Sequence, residues 1–186
     1  MVKKISVTVT GSCPYMQHRN IDDKAGMEEL KKIVKTLQKD PSNEEAYTKE
    51  AEMSTYRNAE GYYIPSSQIE TCLTKAGANE QVQGKGKKTY KDYMNAFVVV
   101  EPEEIPITPQ KYVLDRHYVK VQRARVMRTR PKFDKGWKAS FSLMVLDDTI
   151  STEILRNILM YAGGYIGIGD WRPKYGRFEV TEFTEQ

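Results

Sequence analysis

The chain has 186 residues, a mass of 21.4 kDa and a formal net charge of +4, the size of one domain with room for an insertion. Hydrophobic residues make up 39% and charged residues 29%. No run approaches the roughly 20 apolar residues of a membrane span, and neither a collagen-like repeat nor a disulfide-dense scaffold fits. Charge is unevenly spread: residues 111–138 hold ten Lys or Arg against two acids, Asp115 and Asp134. The rest is net acidic, so the basic segment points to a polyanion partner.

Residues 4–10 alternate apolar and polar side chains, which predicts a strand stopped by Gly11, Ser12 and Pro14. A secretory leader would need a continuous apolar stretch there instead. Cys13 and Cys72 stand far apart and are read as free thiols of a reducing, cytoplasmic compartment. With His18 and His117 they fit no zinc-ligand spacing, so neither metal nor cofactor is expected. The loop that follows carries Tyr15, His18, Arg19, Asn20, Asp22 and Asp23. From Asp22 to Lys39, the residues Met27, Leu30, Ile33, Val34 and Leu37 form a helical stripe. Ser42 and Glu45 have capping-box spacing and start a second helix to about Met53. Heavily charged outer faces mark 22–56 as a helical insertion.

Gly61 to Gly77 reads as an extended segment, a proline and a helix. Ser67 and Glu70 supply its capping box, Ile69, Cys72, Leu73 and Ala76 its buried face, and Gly77 its end. Residues 81–88 are a flexible basic loop, 97–101 a buried strand, and 101–109 a turn-laden connection. Two long strands are predicted at 112–130 and 137–146. A basic loop from Arg128 to Gly136 joins them, and 116–138 is a basic hairpin arm. Ser151 caps a helix with Ile154, Leu155, Ile158, Leu159 and Ala162 inward, ended by Gly163 and Gly164. A last strand runs from Arg177 to Phe183. The order strand, helix, hairpin, helix, strand suits a single α+β domain of ferredoxin-like type: an antiparallel sheet with helices on one face.

Three segments bear on chemistry. Gly163, Gly164, Gly167, Gly169 and Gly176 lie between a helix and a strand. A dinucleotide fingerprint or P-loop needs the reverse order, so neither is present. Trp171, Arg172, Lys174, Tyr175 and Arg177 interleave stacking faces with positive charge, as a flexible nucleic-acid strand requires. The plainer alternative is a tight turn with Asp170 paired to an arginine and a core tryptophan. In the hairpin, Arg123 and Arg125 share one face, and Arg128, Arg130 and Lys132 extend the charge. Charge on an edge strand also blocks unwanted pairing, which is the competing explanation. His18 beside Arg19 is either a general acid or base for RNA cleavage or an ordinary surface residue. Asp22 and Asp23 are accounted for as helix caps.

Tyr62-Tyr-Ile-Pro-Ser-Ser-Gln-Ile-Glu-Thr-Cys-Leu73 resembles the tyrosine-isoleucine-proline-glycine-serine-serine helix start of the RAMP superfamily, the RNA-binding backbone subunits of CRISPR effector complexes. Val113 to Arg116 through Trp137 to Phe141 resembles that family's strands with a projecting hairpin. Gly163 to Gly169 with Tyr175 to Phe178 resembles its glycine-rich loop and last strand. Two departures stand out. Ser66 directly follows the proline where the family has glycine, and Glu70-Thr71 replaces its Lys-Gly. The resemblance implies a modified RNA-recognition-motif fold and single-stranded RNA binding, with subunits side by side along the strand. In the family's cleaving members an aspartate follows the first strand, the region of Asp22 and Asp23. The chain is short for such a subunit, which suggests a stand-alone phage or mobile-element relative.

The expected function is therefore non-enzymatic binding of single-stranded RNA or DNA, with self-association and no membrane. Arg123, Arg125, Arg128, Arg130 and Lys132 are expected at phosphates with Arg172, Lys174 and Arg177. His18 and Arg19 join them from the first loop. Gly167 and Gly169 are expected to offer backbone amides, and Tyr15, Trp171 and Tyr175 to stack. A ribonuclease using His18 or Asp22/Asp23, and a binder of signalling nucleotides at the glycine loop, are the alternatives.

Overall fold

The computed structural model describes residues 2–121 and 124–186. In chain order the elements are β1 (Lys3–Gly11), β2 (Tyr15–Met16), α1 (Lys24–Lys39), α2 (Glu44–Met53), β3 (Arg57–Asn58), β4 (Gly61–Pro65) and α3 (Ser66–Gly77). There follow α4 (Lys91–Phe97), β5 (Val98–Glu101), β6 (Glu104–Thr108), β7 (Val113–Val121), β8 (Ala124–Phe133), β9 (Lys138–Val145), α5 (Thr152–Tyr161), a π-helical turn (Ala162–Ile166) and β10 (Phe178–Glu185). Among the described residues no helix is long and apolar enough to cross a membrane.

The fold is mixed α+β with antiparallel strands. β1 pairs with β10 on one side and β9 on the other, and β9 pairs with β5. The alternation read from the sequence decides which face is covered. Ile5, Val7 and Val9 of β1, with Ala139, Phe141, Leu143 and Val145 of β9, are buried in one core cluster. Ile69, Cys72, Leu73 and Ala76 of α3 and Leu155, Ile158 and Leu159 of α5 belong to the same cluster. The opposite face is polar: the Thr8 hydroxyl donates to Glu182 and lies 3.0 Å from the Ser140 hydroxyl. β6, β4 and β3 extend the sheet beyond β9.

A second sheet, β2-β8-β7, carries the basic arm. α2 packs on β8, and Ile33, Ala46, Tyr47 and Ala51 of the helical pair lie outside the main core cluster.

Several local expectations change. The segment 112–130 is not one strand: β7 and β8 pair antiparallel from Val113↔Lys132 to Val121↔Ala124, and 128–133 is strand rather than loop. The stretch 101–109 contains β6, whose Ile105 and Ile107 point into the core. Asn43, not Ser42, caps α2 by accepting from the Ala46 N–H. Pro65 occupies the cap of α3 without a side-chain bond, while Glu70 accepts from the Val100 N–H. Gly77 is the last helical residue of α3, held close to the Tyr90 backbone where a Cβ would clash. Gly163 and Gly164 do not end α5; the helix widens into the π turn, and Gly167 with φ of 73° ends it.

Candidate nucleic-acid interface

The glycine-rich loop is built by its own packing. Gly167, Gly169 and Gly176 all have φ between 73° and 76°, a region that costs any residue with a Cβ. A Cβ on Gly176 would sit 1.7 Å from the Ile168 carbonyl, and one on Gly169 2.5 Å from the Met16 carbonyl. The Gly167, Ile168, Asp170 and Gly176 N–H groups donate to the carbonyls of Ala162, Gly176, Met16 and Pro14. Of the two amides expected to face phosphate, that of Gly167 is thus engaged within the chain; the glycines buckle the loop onto β2. What the buckle presents outward is Trp171, at φ 55°, with exposed Arg172 and Lys174.

Trp171 is not the core tryptophan; that is Trp137, fully buried with its Nε1 donating to the Cys13 carbonyl. Trp171 is half-buried. Its ring meets His117 edge-on at 4.6 Å, lies 6.1 Å from Tyr175, and has the Arg130 guanidinium 5.8 Å from its centroid. A non-glycine residue at positive φ is held there by its surroundings, and such strain collects at functional sites. Tyr15 differs from expectation. It is 0% exposed, packed on Phe133 and Trp137, with its hydroxyl donating to Gln68. Burial raises its phenol far above the usual range. Its ring is core and leaves no open face for a base.

Three of the hairpin cations are paired with acids, two of these from outside the hairpin. Arg128 pairs with Glu50 of α2 at 2.9 Å, and the second oxygen of Glu50 accepts from the Thr129 N–H. Arg130 pairs with Asp170 at 2.6 Å. Lys132 lies 3.2 Å from Asp115, which also meets His117 Nδ1. Glu50 and Asp115 are buried. This row of ion pairs ties the arm to α2 and to the glycine-rich loop. Arg125 is exposed near the hairpin end, and Arg123 lies outside the described residues. Arg177 is exposed, its N–H donating to Cys13 Sγ at 3.1 Å.

His18, Ser67, Gln68, Thr71, Gly169, Asp170 and Arg172 line an open groove of about 270 Å³. Here the α3 N-terminus, whose cap offers no side-chain acceptor, meets an exposed guanidinium and an imidazole. Backbone N–H groups and the helix dipole make such a terminus a site for anions. Surrounding protein desolvates the His18 ring, although much of it stays open, and pulls its pKa below the ordinary value. Arg130 and Arg128 add to that shift; Asp170 and Glu50 oppose it. Arg19 is exposed, its N–H bound to the Ser54 carbonyl. Asp23 caps α1 by accepting from the Gly26 N–H at 2.7 Å, and Asp22 is exposed beside it. Sequence reasoning missed Ser67, Gln68 and Thr71 as groove residues, and Glu50 and Asp115 as partners; the pairing of Asp170 with an arginine is one of the two sequence readings of the loop, and that arginine is Arg130. For the missed residues the sequence signal is the serine pair after Pro65; His18, Gly169 and Arg172 are candidates already.

Comparison with solved structures finds a chain in the cryo-EM structure of the Type III-B Cmr-beta bound to cognate target RNA. It superposes with a TM-score of 0.57 at 10% identity, over 99% of this chain and 60% of that one. The likeness is one of fold, and the present chain spans about 60% of that neighbour's length. No family model and no curated protein matches the sequence.

Proposed function

We propose that this chain binds single-stranded nucleic acid without cleaving it, RNA in preference to DNA, as a ferredoxin-like member of the RAMP superfamily. The observation that carries the reading is the groove, where the α3 N-terminus, His18 and Arg172 converge. A phosphate seated there meets the positive end of the α3 dipole, a guanidinium and an imidazole together. Lys174, Arg177 and Arg125 continue the positive track, and Trp171 with Tyr175 offers ring faces for bases. The strand order β10-β1-β9-β5, with α3 and α5 as its two crossovers, supports the ferredoxin-like assignment. The fold likeness to a chain in an RNA-bound structure favours RNA.

Catalysis fits the groove less well. The carboxylate lining it, Asp170, is held by Arg130, and Asp23 is consumed as a cap. The two carboxylates whose charge reaches His18, Asp170 and Glu50, are held by Arg130 and Arg128. Side-by-side assembly along the strand belongs to the same proposal. Fluorescence anisotropy with labelled single-stranded RNA, single-stranded DNA and cyclic nucleotides, followed by gel analysis, tests it. The expected result is tightest binding to RNA with intact product, and larger complexes on longer strands by light scattering. RNA cleavage would replace this reading with a ribonuclease, and binding of cyclic nucleotides alone with a nucleotide sensor.

A further inference from the structure

α1 carries an apolar stripe that the rest of the chain covers only in part. Of Met27, Leu30, Ile33, Val34 and Leu37, Ile33 alone is buried, and Met27 is 41% exposed. A surface helix ordinarily lays such a stripe on the core. α1 packs on α2 instead, and none of the five belongs to the main core cluster. Beside the stripe runs a groove of about 380 Å³, lined by Val34 and Leu37 of α1, Tyr47 of α2, and Tyr118 and Met127 of the hairpin. Tyr118 and Met127 are cross-strand partners, so both rise from one face of the arm, and Tyr118 is 64% exposed. Among the described residues the groove has few polar side-chain groups: Gln38 and the two tyrosine hydroxyls, of which that of Tyr47 donates to the Pro41 carbonyl. That is too little to orient a small molecule, and it suits the apolar side chains of another protein.

The charge of the rim decides which kind of protein segment fits. α1 holds five lysines against two glutamates, and all five lysines are exposed. Lys31 and Lys35 stand three residues before Val34 and Gln38, so each borders a groove residue on the helix surface. The acids at the start of α2, Glu44 and Glu45, are taken up by Arg116 and Lys49.

We propose that this groove docks an acidic amphipathic helix of a protein partner. The apolar face of that helix fills the space between α1 and the arm, and its carboxylates meet Lys31 and Lys35. A second copy does not supply it: the acidic helix of this chain, α2, has Ala46, Tyr47 and Ala51 already buried. The docking groove shares no lining residue with the groove assigned to phosphate, so it goes beyond the single-strand reading and stands without it.

The test titrates a labelled helical peptide of about 14 residues, close to four turns, into the full chain by fluorescence anisotropy. Leucines form one face of the peptide and glutamates the rest. The controls are the same peptide with lysines for glutamates, and a scramble of the acidic peptide. The wild type is expected to bind the acidic peptide about tenfold more tightly than either control. Tyr118→Ala, at an exposed position, should weaken it about tenfold, the scale of a lost aromatic anchor, with the melt and single-stranded RNA affinity unchanged. Lys31→Glu/Lys35→Glu should weaken the acidic peptide several-fold and strengthen the basic one. A wild type that binds acidic and scrambled peptides alike, or an affinity that neither substitution moves, would overturn the docking site. Loss of RNA binding in Tyr118→Ala without peptide binding in the wild type would give the face to nucleic acid. A wild-type oligomer that this substitution dissociates, read by light scattering, would give it to a second copy. Either outcome replaces the acidic helix.

Discussion

Arg128, Arg130 and Lys132 on the hairpin and Arg172, Lys174 and Arg177 on the glycine-rich loop read alike in the sequence, yet the structure gives them different surroundings. The first three meet Glu50, Asp170 and Asp115 within 2.6–3.2 Å, two of these acids being buried. The last three are exposed. A basic run is thus a measure of polyanion affinity only after its internal partners are known. The acids that neutralise the arm come from α2, from the strand opposite and from the glycine-rich loop. The charge of Arg128, Arg130 and Lys132 holds the arm in place, and the loop's charge remains open to a ligand, as does that of Arg125.

The largest effect that would break this contrast is on stability. Glu50→Ala leaves Arg128 without its partner and the Thr129 N–H without an acceptor. Removing one member of a buried pair costs about 3–5 kcal/mol. A thermal melt should show a drop of roughly 10 °C for a chain of this size. The folded fraction should bind RNA as wild type does. A melt unchanged from wild type would return Arg128 to the list of free phosphate contacts.

On the loop the order of effects reverses. Trp171→Ala should cost about 1–3 kcal/mol of single-strand affinity, one base stack, with a small change in melting temperature because the ring is half-buried. Trp137→Ala should instead cost about 3–5 kcal/mol of stability as a core truncation. Melts and binding isotherms on both variants sharpen the comparison between the two tryptophans. Equal loss of stability in both would place Trp171 in the core.

A smaller effect concerns protons. The His18 ring is held below its ordinary pKa, so the free protein favours the neutral form. A phosphate beside it favours the protonated form, and binding then takes up a proton. Affinity should rise as pH falls through the ordinary histidine range, and His18→Asn should flatten that dependence. A pH profile identical in wild type and variant would remove His18 from the phosphate site. The smallest effect is that of Arg125→Ala, which should flatten the salt dependence by about 0.7 in log–log slope, one phosphate on a single strand, and leave the melt unchanged.

The parts of the fold with strong periodicity are legible in the residues themselves. β1, the α3 and α5 faces, and β9 follow from alternation or from helical stripes, and their residues form the core. The hairpin reversal is not legible, because Val121-Gln-Arg-Ala124 holds no Gly, Pro, Asn or Asp to mark a turn. Pro131 and Gly136 make 128–136 look like a loop. Pro131 nevertheless sits in β8, opposite Leu114 and just beyond the short pairing of β8 with β2. β6 is hidden by Pro102, Pro106 and Pro109, and α4 by its seven-residue length. For the site, the glycines mark the right loop, but glycine alone cannot reveal whether the close neighbour is a ligand or, as here, the chain itself. Asp170 is legible as an arginine's partner, but Glu50 and Asp115 are not, because pairing between separate elements is a property of the topology.

The central claim is that open charge on the loop, and not the paired row on the arm, meets the phosphates. The most direct test is the salt dependence of single-stranded RNA affinity for wild type and for Arg172→Ala/Lys174→Ala. The wild type is expected to lose affinity steeply with salt. The double variant is expected to show a slope flatter by about 1.4, two phosphates at about 0.7 each, with melting temperature unchanged. An undiminished slope in a folded double variant would contradict it.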